Sequence, residues 1–150
     1  MEKSTPQPIT RYVKISIRSL LGLSLALMLI GFAFDSPGNL LRGLGNILTS
    51  PSNLLSDYFA IGGIGATFLN SGLTTLLSVL MVWRMKLKVT GAITAAIITV
   101  LGFSFFGKNV VNSIPVMMGC FLYARYREIS NQSVILAMLF GTTLAPVVSF

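Results

Sequence analysis

The sequence predicts an all-α fold, a multi-pass transmembrane helical bundle, and three observations support this fold class. Hydrophobic residues make up 53% of the 150-residue chain and charged residues only 10%, whereas soluble domains carry about 25% charged residues. The apolar residues fall into about five runs of a length that enters or crosses a bilayer. The basic residues stand mainly at the ends of these runs, where membrane proteins place their topology determinants.

The composition also excludes several classes of protein. The chain contains no histidine and a single cysteine, Cys120, which excludes an internal disulfide, a zinc site built on cysteine or histidine, and a histidine-based catalytic triad. The net charge of +7 comes from scattered residues that form no basic stripe, which argues against nucleic-acid binding. No nucleophile and base pair is visible, and Asp35 and Asp57 are expected to cap helices. We therefore expect no enzyme, no metal site and no cofactor.

The chain divides into a cytoplasmic basic segment, residues 1–19, and a transmembrane helical domain, residues 20–150. The first membrane segment is predicted at residues 15–34, and it ends where an Asp-Ser-Pro-Gly sequence favours a turn. Residues 39–58 carry leucine and isoleucine at helical spacing, but a Ser-Pro pair interrupts them and neither piece is long enough to span. They are predicted to lie flat at the interface, with a re-entrant element as the alternative.

The second membrane segment, residues 61–83, begins with a glycine-rich half. Asn70 lies on that half together with Gly62, Gly63 and Gly65. In one interpretation the glycines break the helix, and the freed backbone lines a cavity that Asn70 faces as a substrate-binding residue. In the alternative the glycines allow close helix packing, and Asn70 makes a hydrogen bond to a neighbouring helix.

A polar interruption separates the third and fourth membrane segments, predicted at residues 91–106 and 110–124. It consists of a lysine, two asparagines and a proline: Lys108, Asn109, Asn112 and Pro115. Such groups are costly when they face lipid, so they are predicted to face protein, water or an interface. As a substrate-binding site they would offer side-chain amides, a carbonyl freed by the proline and a positive charge, which suits an anion or a neutral hydrogen-bonding solute. The alternative is an external hairpin turn, with Lys108 in water and Asn109 as the N-cap of the next helix.

The fifth membrane segment, residues 133–150, contains a glycine, two threonines and a proline: Gly141, Thr142, Thr143 and Pro146. One interpretation is a third broken element, in which the threonines join the substrate-binding site. In the alternative the threonine hydroxyls bond to the preceding turn of their own helix, and the proline makes a kink.

The distribution of lysine and arginine predicts the orientation. Most of the 11 basic residues lie in the N-terminal segment and in the connections 84–88 and 125–131. By the positive-inside rule these regions are cytoplasmic, and about five crossings then place residue 150 outside. An odd number of crossings suits one half of an inverted repeat, so the fold is predicted to need a second half, in a longer chain or in another copy.

Three stretches together resemble a known family. They are residues 57–73 (DYFAIGGIGATFLNSGL), 102–126 (GFSFFGKNVVNSIPVMMGCFLYARY) and 139–149 (LFGTTLAPVVS). They look like the N-terminal half of an uncharacterised bacterial integral-membrane family, domain-of-unknown-function family 1576, and FGKN-x-x-N-x-x-P is the most specific pattern. The resemblance covers most of the chain after Asp35. It implies a bacterial inner-membrane location and, because family members are longer, a half-length chain; it implies no established activity.

Two functions remain open from the sequence. The first is a half-module of a small-solute or ion transporter or channel, with a polar site built from broken helices. The second is a non-transporting membrane scaffold or assembly partner, in which the same polar residues serve helix packing. The expected partners are the lipid bilayer and a second half or a homo-oligomeric copy. No recognisable sequence pattern identifies the substrate, the coupling ion or the direction of transport.

Overall fold

The computed structural model describes residues 16–51 and 56–144. The all-α prediction is confirmed over these ranges, which contain six helices and no strand. In chain order, α1 to α6 are Ile17–Phe34, Pro37–Thr49, Tyr58–Arg84, Gly91–Phe103, Val110–Tyr126 and Asn131–Thr143. An isolated antiparallel bridge joins Asp57 to Phe106.

Five of these helices fall on the predicted membrane segments, with shifted ends. The largest difference is at α6, which ends at Thr143 because the Leu144 amide turns back to the Gly141 carbonyl. The remainder of the predicted segment 133–150, with Pro146, lies outside the described residues. So do most of the N-terminal basic segment and the second short helix predicted after Ser50, which falls on residues 52–55.

Most helices begin at a residue whose side chain accepts a hydrogen bond from the first helical turn. These N-caps are Ser16, Asp57, Thr90, Asn109 and Ser130. Such a side chain provides a partner for one of the amides that the first turn leaves unpaired. α2 begins instead with Pro37, whose missing N–H is not needed at that position.

α3 is the central helix, and α1 and α2 approach it closely at glycines. A Cβ added to Gly31 of α1 would come within 2.7 Å of the Gly65 carbonyl oxygen. A Cβ added to Gly43 of α2 would come still closer to the Gly62 carbonyl oxygen. Small residues at such contacts let two helix backbones approach each other, as the close-packing interpretation of this segment expects.

The backbone of α3 breaks at Gly63, which has φ 82° and ψ 171°. Only glycine adopts this conformation without strain. The break exposes the amides of a new helix start, and the Gly65 N–H donates to the Asp35 carboxylate Oδ2 at 2.9 Å. Asp35 therefore caps the second part of α3 from the end of α1.

The largest hydrophobic cluster packs α1, α4 and α6 around the far end of α3. Its buried members are Leu20, Val79, Val82, Ile93, Ala96, Ile97, Val100, Ile135 and Leu139. α4 then runs back along α3, and the Ser71 hydroxyl bonds to the Leu101 carbonyl. Because α6 follows the same course, the last turns of α4 and α6 both lie beside the middle of α3.

Within the described ranges, two helices are long and apolar enough to cross a membrane. α1 has 18 residues and a mean hydropathy of 2.0, and α3 has 27 residues and a mean hydropathy of 1.5. α4 and the Ser133–Thr143 part of α6 are apolar but shorter. The core helix of a soluble protein has similar length and composition, and 61% of the α3 window is buried, against 22% for α1.

Candidate functional site at the helix-end junction

Three helix ends meet beside the middle of α3. α4 ends at Phe103, α5 begins at Val110 and α6 ends at Thr143. We call this region the helix-end junction. It is defined by the residues whose hydrogen bonds hold it together: Asn70, Thr74, Ser104, Lys108, Asn109, Ser113 and Thr142.

The side chain of Lys108 is buried at the centre of the junction, with 2% of its surface exposed. Its Nζ donates to the Ser113 hydroxyl at 2.8 Å and to the Thr142 carbonyl at 3.0 Å. Both acceptors are neutral, and in the described part of the chain no carboxylate pairs with this ammonium. The alternative of an exposed turn with Lys108 in water is therefore wrong.

Asn109 and Asn112 form a reciprocal cap at the start of α5. The Asn112 amide donates to Asn109 Oδ1 at 2.9 Å, and the Asn109 amide donates to Asn112 Oδ1 at 3.0 Å. The predicted N-cap role of Asn109 is therefore present. Its Nδ2 also donates to the Ile47 carbonyl at 3.2 Å and to the Tyr58 hydroxyl at 3.1 Å, so one side chain links α2, α3 and α5.

Asn70 fixes the connection between α4 and α5 from the side of α3. Its Nδ2 donates to the carbonyls of Ser104 at 2.8 Å and Lys108 at 2.9 Å. Its Oδ1 is buried and has no hydrogen-bond partner among the residues described. The structure therefore brings Asn70, Lys108 and Asn109 together, and it leaves one acceptor of the group unused.

Three polar members of the junction were not predicted from the sequence: Thr74, Ser104 and Ser113. Thr74 Oγ1 and Ser104 Oγ lie 2.6 Å apart, and Ser113 accepts from Lys108. Thr74 follows Asn70 by four residues and Ser113 follows Asn109 by four, so each pair shares a helix face. That spacing was a usable signal for Thr74 and Ser113, whereas nothing in the local sequence distinguishes Ser104.

Thr142 and Thr143 contribute less than the substrate-site interpretation expects. Their hydroxyls donate to the Leu139 carbonyl at 2.8 Å and the Phe140 carbonyl at 2.6 Å, within the same helix. It is the main-chain carbonyl of Thr142 that reaches Lys108. Gly141 lies within α6, and a Cβ added to it would meet the Val116 side chain of α5 at 3.4 Å.

The remaining predicted residues lie away from the junction. Pro115 sits inside a continuous α5, on its exposed side. Gly62 and Gly65 pack against α2 and α1, and Gly63 lies near Asp35. None of these glycines lines the cavity beside Lys108.

That cavity measures about 10 Å³, roughly the space that one water molecule occupies. Its polar lining consists of Thr74, Ser78, Lys108, Ser113 and Thr142, and its apolar lining includes three methionines, Met81, Met117 and Met138. Carboxylates are absent from this lining, and the described residues contain no group of three or more His, Cys, Asp or Glu side chains that could hold a metal ion. The cavity thus combines one ammonium with hydroxyl oxygens in an otherwise apolar enclosure.

The hydroxyls around the cavity donate their protons elsewhere. Ser78 donates to the Thr74 carbonyl, Ser113 to the Asn109 carbonyl and Thr142 to the Leu139 carbonyl. A hydroxyl has one proton and two lone pairs, so each of these oxygens keeps accepting capacity for a neighbour. The cavity wall is therefore richer in acceptors than in donors.

Comparisons with known proteins identify one relationship. Residues 36–150 match the family described as protein of unknown function DUF1576, in agreement with the resemblance carried by the glycine-rich, FGKN and threonine-containing stretches. No curated protein and no solved structure shows significant similarity to the chain. Since the family match covers most of the sequence, including every residue of the helix-end junction, the chain belongs to the DUF1576 family.

Proposed function

We propose that this protein is a multi-pass protein of the bacterial inner membrane and forms half of a pathway for a small solute or ion. The helix-end junction is the proposed polar site. The observation that carries the proposal is the buried amino group of Lys108, which meets only neutral oxygens where three helix ends converge. An ionisable side chain surrounded by apolar helices is costly, and in membrane proteins such residues mark solute and proton pathways.

The exposed surface of α1 supports the membrane location. Its large apolar side chains Leu25, Leu29, Phe32 and Phe34 are all more than half exposed. A soluble monomer rarely leaves such a patch in water. With lipid as the surrounding solvent, these side chains lie in a favourable environment, and the same holds for the exposed Phe121 and Leu122 on α5.

The lengths of the remaining helices support a pathway built from partial crossings. α4 and α6 have 13 residues each, or about 20 Å at 1.5 Å per residue, which is shorter than the hydrocarbon core. Both end at the helix-end junction. Helices that stop inside a bilayer need protein partners for their last carbonyls, and transporters place their binding sites at such breaks.

A second half completes the proposed pathway. Its source is a longer chain or another copy of this one, as in transporters built from two inverted halves. In the proposed orientation the N-terminus and the basic connections 84–88 and 125–131 face the cytoplasm.

Solute flux in proteoliposomes tests the transport proposal. The full-length protein and two Lys→Met variants of it are reconstituted and exposed to gradients of potassium, sodium, ammonium and chloride salts, with flux followed by light scattering. Lys108→Met is expected to change flux at least about tenfold, since about 1.4 kcal/mol in a barrier is a factor of ten in rate. Lys88→Met, which changes an exposed lysine in the connection after α3, is the matched control and should behave as wild type.

The scaffold function remains the second candidate because of Asn109. Its side chain joins α2, α3 and α5 through the Ile47 carbonyl and the Tyr58 hydroxyl, which is a packing role. A scaffold predicts that wild type, Lys108→Met and empty liposomes give the same flux in every salt. That result would reject the transport proposal and favour the scaffold.

A further inference from the structure

We infer that the oxygens around the Lys108 amino group and the adjoining cavity form a binding site for an ammonium-sized monovalent cation. In this structure the Lys108 ammonium occupies the site, so it would compete with any free cation. The inference rests on the proposed transport function, because it names the solute class of the same site. It differs from the sequence-based expectation of an anion or a neutral hydrogen-bonding solute, which was made without the groups that surround Lys108 in the fold.

The oxygens around Lys108 are oriented to accept. Its Nζ donates to the Ser113 hydroxyl oxygen at 2.8 Å and to the Thr142 carbonyl oxygen at 3.0 Å. Ser113 and Ser78 point their own protons at main-chain carbonyls. A bound anion would find only the third proton of Lys108 as a free donor, whereas a cation uses the oxygens as they stand.

The carbonyl end of α6 adds negative potential at the same place. The carbonyl that accepts from Lys108 belongs to the last turn of α6, whereas α5 presents its amide end to the junction at Val110. The carbonyl end of a helix carries a partial negative charge that favours cations.

The space and charge of the site allow one cation at a time. A primary ammonium has three donors, and two of the Lys108 donors have acceptors, so a single water or oxygen in the cavity of about 10 Å³ completes the set. No carboxylate lines the cavity to balance a second positive charge, and two cations at this distance would repel strongly. A free cation therefore enters as the Lys108 ammonium leaves.

Chemical rescue of a truncated lysine tests the inference. Lys108→Ala removes three carbons and the ammonium, and n-propylammonium has the same four heavy atoms. Unfolding of the purified variant is followed through the single tryptophan, Trp83, in n-propylammonium, ammonium or potassium chloride. 1-Propanol supplies the same chain without charge, and choline chloride supplies a cation too bulky for the site.

We expect n-propylammonium to raise the unfolding midpoint of Lys108→Ala by about 3 °C or more relative to choline and propanol, because a ligand that binds the folded state stabilises it. Ammonium or potassium should give a smaller rise in the same direction. Wild type and Lys108→Met should not respond, since a side chain fills the space in both. An equal rise with propanol, no rise with any cation, or failure to recover Lys108→Ala even in n-propylammonium would overturn the inference.

The rescue measurement tests the cation site and the flux measurement tests transport, so each proposal can be rejected without the other. A cation-specific rise in Lys108→Ala with no flux in wild-type proteoliposomes would keep the cation site and reject transport. Flux that depends on Lys108 without any cation-specific rise would keep transport and reject the cation site. Flux of ammonium or potassium, but not of chloride, together with the rise, supports both.

Discussion

At the scale of single residues, the buried polar side chains of the helix-end junction share one task. Asn70 donates to the Ser104 carbonyl at the end of α4, and Lys108 donates to the Thr142 carbonyl at the end of α6. Asn109 donates to the Ile47 carbonyl near the end of α2. The last four carbonyls of a helix have no partner within it. Each of the three side chains therefore completes the end of a different helix in a region with little water.

Replacing Asn70 should reveal this role as a loss of stability. Asn70→Leu keeps a similar volume but removes both donors, which leaves the buried carbonyls of Ser104 and Lys108 without this partner. Each lost partner costs about 1–3 kcal/mol, so we expect the free energy of unfolding to fall by about 2–4 kcal/mol. Denaturant titration in detergent measures it. Asn46→Leu is the control, because Asn46 is exposed and makes one contact at 3.5 Å.

A loss in Asn70→Leu no larger than in Asn46→Leu would show that the two carbonyls find other partners. The junction would then be looser than its hydrogen bonds indicate. Water entering beside α3 is the simplest way to produce that result, and it would bring the polar site into contact with solvent.

At the scale of elements, the break in α3 depends on a residue from another helix. Gly63 takes a backbone conformation with φ 82°, and Asp35, at the end of α1, accepts from the Gly65 amide that the break exposes. Glycine makes the break possible, and the carboxylate stabilises the new helix start. This hydrogen bond holds the turn between α1 and α2 against α3.

Gly63→Ala should destabilise this arrangement by about 1–3 kcal/mol, since a Cβ is strained at that backbone conformation. Gly22→Ala is the matched control, because nothing lies within 4 Å of a Cβ at Gly22 and alanine favours a helix over glycine by about 1 kcal/mol. The two variants should therefore shift the thermal unfolding midpoint in opposite directions. A rise with both would mean that α3 runs straight through residue 63.

The helices themselves could largely be predicted from the sequence, because apolar runs and turn residues are local signals. The predicted segment 61–83 lies within α3, and the N-cap at Asn109 follows from its place before an apolar run. The cap that Asp35 provides to Gly65 could not be predicted, since the partners are 30 residues apart. The burial of Lys108 has the same cause: its acceptor at Thr142 is 34 residues away.

At the scale of the whole molecule, α3 serves as the axis and the shorter helices end part-way along it. The hydrophobic cluster holds α1, α4 and α6 at one end of α3, while the glycine contacts hold α1 and α2 at the other. The helix-end junction lies between these two packing regions. A polar site between two apolar layers is the arrangement expected when the solvent outside is lipid.

The proposed topology predicts which exposed positions share a side of the membrane. Single cysteines at Lys88 and Arg127, in a Cys120→Ser background, should react with an impermeant thiol reagent only from the cytoplasmic side, because basic connections are retained there. A cysteine at Ser36, in the turn between α1 and α2, should react only from the opposite side. A cysteine at Lys108 should resist a bulky reagent and react slowly with a small one, since that side chain is 2% exposed. Labelling of Ser36 and Lys88 positions from the same side would contradict a crossing by α3, and fast labelling at position 108 by both reagents would place the junction at the surface.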